Sequence, residues 1–133
     1  NNLCYNKLNN IVKEKIMEEK IEELYVNIQN YRFAQKYLKD IDIIYTYMVN
    51  YNRKQAENCA SFYLQKYYKT LSKLGRITGG IRLVYNKNIY KAKSDDDIID
   101  DLYFCILGIF CEAYIYIGFA KNVNDFVLNY LNK

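Results

Sequence analysis

Histidine and proline are both absent from this chain, and glycine occurs only five times in 133 residues. Without histidine the sequence lacks the commonest general base and metal ligand. Gly75, Gly79 and Gly80 form neither a P-loop nor a GxGxxG turn, and there is no GxSxG. No constellation argues for an enzyme, and no cofactor is expected. The cysteines Cys4, Cys59, Cys105 and Cys111 include no CxxC pair, which makes zinc a poor fit. Cys105 and Cys111 lie in an apolar run and read as small buried hydrophobes, which suits a reducing, intracellular setting; a disulfide stays open. With so little proline and glycine to punctuate strands or long loops, continuous helices are favoured. No secretory signal is visible. The chain begins with Asn1 rather than Met, as a trimmed fragment would, which leaves a lost terminal anchor open.

What is present is a single domain's worth of chain, 1–133, with 51% hydrophobic and 26% charged residues, the balance of a folded globular protein. Asn, Ile, Lys and Tyr supply nearly half of it, a bias that suggests an AT-rich genome. The 19 basic and 15 acidic residues are interspersed and leave a net charge of +4. Nucleic-acid binders concentrate their basic residues in a stripe, so no nucleic-acid partner is expected. The 16 tyrosines recur mostly at helical spacing, which points to core or groove packing rather than base stacking.

Apolar periodicity divides the chain into helices. Met17, Ile21, Leu24 and Ile28 give one face to a first helix over about residues 7–29, with Glu18, Glu19, Glu22 and Glu23 on its solvated side. Phe33, Tyr37, Ile41, Ile44 and Met48 form the stripe of a second, from about Tyr31 to Tyr51, where Asp40 and Asp42 mark a bend. A third runs from about Lys54 to Lys73, with Ala60, Tyr63, Tyr67, Leu71 and Leu74 on one face. A fourth starts near Leu74 and passes through Gly79-Gly80, a pair that would let another backbone come close. After a polar connection over 86–93, Ser94-Asp95-Asp96-Asp97 reads as a capped helix start whose carboxylates complement the dipole. A calcium loop would need a glycine and a terminal glutamate that are missing. The helix so opened is apolar from Leu102 to Ala120 apart from Glu112. That is long enough to span a bilayer, but the aspartates before it and the carboxylate within it favour a helix surrounded by protein. A short helix over about Val123–Leu131 ends the chain. The expected architecture is all-α, a bundle around a central apolar helix.

Two segments carry a resemblance. Leu71-Ser72-Lys73-Leu74-Gly75-Arg76-Ile77, followed by Gly79, resembles the first homology motif of the Bcl-2 family, centred on Asn-Trp-Gly-Arg. Val123-Asn124-Asp125-Phe126-Val127, through Tyr130, resembles the second, usually Trp-Asp-x-Phe-Val. Leu74 and Val123 stand where tryptophans are usual and Lys73 where an asparagine is usual, departures that bear on ligand preference. Together the segments relate roughly residues 54–132 to the family, and the composition is similar to that of poxvirus-type or other large-DNA-virus members. The resemblance implies a Bcl-2-like helical bundle around the central helix.

It also implies a groove that holds an amphipathic partner helix by apolar anchors and a few polar groups. Gly75 would admit the ligand backbone, and the guanidinium of Arg76 would pair with a ligand aspartate. Lys73 sits beside them. Tyr63, Tyr67, Gly79 and Leu83 would line the groove opposite Ile41, Ile44 and Tyr45; the alternative for the tyrosines and leucine is plain core, and for Arg76 a surface ion pair. The implied function is pro-survival: sequestering BH3-containing pro-apoptotic proteins in the host cytoplasm, at the mitochondrial outer membrane in one version. A homodimer is a further partner left open, and membrane association would need a tail outside this chain. Rival readings are a groove-less Bcl-2-fold scaffold for innate-immune signalling adaptors, a membrane-inserting protein using Leu102–Ala120, and an unrelated helical domain.

Overall fold

Six helices and no strand make up the described part of the chain, residues 2–79 and 94–132 of a computed structural model, with side chains described from Lys15 onward. In chain order they are α1 (Asn2–Ile28), α2 (Gln35–Val49, entered by a 3-10 turn at Arg32–Ala34), α3 (Arg53–Lys66), α4 (Tyr68–Thr78), α5 (Asp95–Tyr116) and α6 (Val123–Phe126). α6 runs on into a π turn at Val127–Leu131.

α5 is the hub, packed against α1, α2, α3, α4 and α6. Its apolar residues point in every direction, so it has no solvated stripe of the usual kind. Leu102, Cys105, Ile106, Ile109, Phe110, Ala113 and Tyr114 are all fully buried. The helix starts as the capping pattern requires: Ser94 Oγ accepts from the Asp97 amide at 3.1 Å, with Asp95, Asp96 and Asp97 in the first turn. Asp95 also accepts from the Tyr51 hydroxyl at 2.6 Å and from Arg53 at 3.1 Å, tying this end to the α2–α3 corner. No helix among the described residues is long and apolar enough to cross a membrane.

Two boundaries differ from the periodicity reading. The continuous helix expected from Lys54 to Lys73 breaks at Tyr67 (φ −107°, ψ 23°), separating α3 from α4. The Tyr67 ring is buried with its hydroxyl on Asp40 of α2, and the break turns α4 so that Leu71 and Leu74 reach α5. The helix expected to pass Gly79 ends before it, and the expected continuation from Gly80 lies outside the described residues. α4 stops at Thr78, and Gly79 takes a left-handed φ of 87° with its amide on the Gly75 carbonyl at 2.8 Å. Glycine adopts that conformation without a Cβ penalty, so it closes the helix here. A close approach is found at Gly108 of α5, where an added Cβ would run into the Leu71 side chain of α4.

The last segment closes the core. Phe126 and Tyr130 pack on Tyr114 of α5, ring centroids 5.2 and 4.6 Å away, and Tyr130 donates to the Phe119 carbonyl at 3.1 Å. Asn122 caps α6 by accepting from the Asp125 amide at 2.8 Å.

Candidate functional site

α4 divides its residues cleanly between two sides. Leu71, Leu74 and Gly75 are buried, whereas Lys69, Lys73 and Arg76 are exposed at spacings of four and three, which aligns them on one face. That face forms one wall of an open cleft of about 610 Å³ between α4, α5 and the start of α6. α5 supplies Glu112 and Ile115; the far wall is Lys121, Asn122, Val123 and Asn124. Ile77, Ile115 and Val123 provide its apolar surface.

The electrostatics are one-sided. Lys69, Lys73, Arg76 and Lys121 contribute four cations, and none forms an ion pair with a described carboxylate. Arg76 donates to Ser72 Oγ one turn back at 3.2 Å, which steadies the guanidinium without neutralising it. Among the described residues the only carboxylate lining the cleft, Glu112, accepts from Thr70 Oγ1 at 2.9 Å. Such an arrangement can hold an anionic, partly apolar segment.

The residues anticipated for a peptide groove separate in the structure. Lys73 and Arg76 line the cleft with Ile77. Gly75 is buried with Leu71 and Leu74, and Gly79 is the helix cap. Tyr63, Tyr67, Ile41 and Ile44 are core residues, each no more than 5% exposed. Tyr45 is half-buried and lies with Ile41, Tyr25 and the carboxylates Glu18, Glu22 and Asp42 around a smaller cleft of about 330 Å³ between α1 and α2. Leu83 lies outside the described residues.

What gathers Tyr63 and Tyr67 is Asp40, a carboxylate buried on the inner face of α2. Both hydroxyls donate to it, Tyr63 at 3.4 Å, and Lys66 reaches it at 2.7 Å. Burial and the adjoining Asp40 charge push both phenols far up. Burial and Glu112 push neighbouring Tyr37 up to about 12. This is a structural polar network that ties α2 to α3, since a buried carboxylate must be hydrogen-bonded. Asp40 sits in phase with the apolar stripe, three residues from Tyr37 and four from Ile44, and that phase is the signal the sequence offered.

Cys59, Cys105 and Cys111 are free and buried; burial pushes the Cys59 thiol up to about 11 and, with Glu112, Cys111 up to about 12. These are packing residues. The Cys4 side chain lies outside those described. Among the described residues no cluster of acidic, cysteine or histidine side chains could hold a metal, Ser94–Asp97 included. No family model matches the chain, and no curated protein or solved structure matches it either.

Proposed function

We propose that this protein is a non-catalytic, pro-survival Bcl-2-like protein that sequesters the BH3 helices of pro-apoptotic partners, with the α4–α5–α6 cleft as its binding face. One observation carries the reading. Lys73, Arg76 and Ile77 of the segment resembling the first homology motif share a cleft with Val123 and Asn124 of the segment resembling the second, some fifty residues later. A helix wrapped by others, as α5 is, supports the Bcl-2-like bundle. In this reading the host cytoplasm, including the mitochondrial surface, is where the protein acts.

Titrating the full chain with a panel of BH3 peptides tests the proposal. At least one peptide should bind, and Arg76→Ala should weaken it by about 2–5 kcal/mol if the charge pair is desolvated, with the thermal transition unmoved. A panel in which nothing binds would sink it.

A second reading has its own support. Tyr63, Tyr67 and Ile44 are taken up by the core, so these three offer a BH3 helix no apolar wall. That favours a groove-less scaffold whose outer faces dock innate-immune signalling adaptors. Adaptor capture by a chain that binds no BH3 peptide would select it.

A further inference from the structure

The cations of α4 form a ladder rather than a single anchor point. Lys69, Lys73 and Arg76 occupy positions i, i+4 and i+7, so their Cα atoms climb about 10 Å of helix axis at 1.5 Å per residue. All three are exposed, and no described carboxylate answers them. Lys121 adds a fourth cation from across the cleft. An isolated ligand carboxylate at Arg76 would leave most of this charge unmatched.

Resting on the protein-binding reading above, we infer that the partner segment is an acidic amphipathic helix lying along α4, with three carboxylates at the same i, i+4, i+7 spacing. Charge complementarity selects an acidic occupant over a basic or neutral one. The ladder's length selects a helix, because two helices side by side share one axial rise and keep three pairs in register. Ile77, Ile115 and Val123 give the partner's neighbouring apolar face somewhere to pack. Glu112, engaged with Thr70, sits among the cations and disfavours a ligand carboxylate set deep in the cleft. The acidic stripe therefore runs along the rim, and this is the feature that would discriminate among partners.

The test uses the full chain and two synthetic helical peptides of one leucine-faced sequence. One carries glutamates at i, i+4 and i+7; the other keeps only the glutamate that meets Arg76 and has glutamine at the other two positions. Two additional exposed pairs should make the first peptide bind about fivefold tighter, with the advantage shrinking as salt rises. Lys69→Glu should remove most of that advantage and weaken the three-glutamate peptide several-fold more than the single-glutamate one. A lysine placed opposite it in the peptide should restore binding. Equal affinity for the two peptides, with binding still sensitive to Arg76→Ala, would overturn the ladder while leaving the binding reading in place. Failure of both peptides and of every BH3 peptide would overturn both. Flotation on phosphatidylserine vesicles that Lys69→Glu abolishes, without binding of either peptide, would assign the ladder to a lipid surface and overturn the inference.

Discussion

The phenol of Tyr114, in the last turn of α5, donates to the main-chain carbonyl of Leu24 in α1 at 2.7 Å. The residues are 90 positions apart, and both are essentially without solvent contact. The bond fixes where the first helix lies on the hub. The same ring is the surface on which Phe126 and Tyr130 close the other side of the core.

Tyr114→Phe should keep the ring packing and lose only the hydroxyl. A buried hydrogen bond contributes about 0.5–1.5 kcal/mol net. The urea midpoint should fall by that amount with the slope unchanged, since the fold still buries the same surface. An unchanged midpoint would mean that water satisfies the Leu24 carbonyl equally well.

Alkaline pH should destabilise the protein through its buried tyrosines. Tyr114, held by burial, is pushed from 10.0 up to about 12, and Tyr63 and Tyr67 are pushed up by burial and Asp40. The unfolded chain loses these protons near pH 10 while the folded one keeps them. Stability is therefore fully present below pH 10 and falls as pH rises toward the folded values. Urea midpoints measured from pH 8 upward should bend down near pH 10. Tyr67→Phe should flatten that bend and, by removing a hydrogen bond to a charged acceptor, cost about 1.5–3 kcal/mol at neutral pH.

Gly108→Ala should be one of the more damaging one-methyl changes in the molecule, because the new Cβ meets Leu71. Overpacking of this kind costs about 1–3 kcal/mol. Leu71→Ala alone should destabilise by leaving a cavity, yet the double variant should be less unstable than the sum of the two. Strict additivity in a double-mutant cycle would contradict the contact.

Ser94→Ala should cost about 0.5–2 kcal/mol by freeing the Asp97 amide. Affinity for a cleft-binding peptide should stay the same, since Ser94 is not among the cleft residues. Loss of binding at unchanged stability would instead make Ser94–Asp97 a functional site.

The helices and the hub were legible because their signals are local and strong. Ser94 followed by three aspartates marks a helix start unambiguously, and the Leu102–Ala120 run has no polar face to give to water. The break at Tyr67 was not legible, because its cause is a side chain 27 residues earlier. Apolar spacing continues through it undisturbed. Gly79 and Gly108 illustrate the same limit: either glycine fits a cap or a close approach, and only the left-handed turn at Gly79 and the packing of Leu71 on Gly108 decide. For the site, Arg76 and Lys73 were found through the motif, whereas Lys69 and Lys121 were not. Surface lysines are common, and only the fold brings Lys121 opposite α4. Tyr63 and Tyr67 looked like groove residues because a half-buried and a fully buried stripe share one periodicity.

The final helix has two duties that most proteins give to different parts. Phe126 and Tyr130 seal Tyr114 into the interior, while Val123 and Asn124 wall the cleft a turn away. Undocking this short segment would therefore unseal the core and dismantle the proposed binding face in one event. A ligand seated in the cleft would latch the door from outside. At a hundred times its dissociation constant it would add about 2.7 kcal/mol against opening, so amide exchange in the Tyr114 neighbourhood would slow on binding although the ligand never touches that ring.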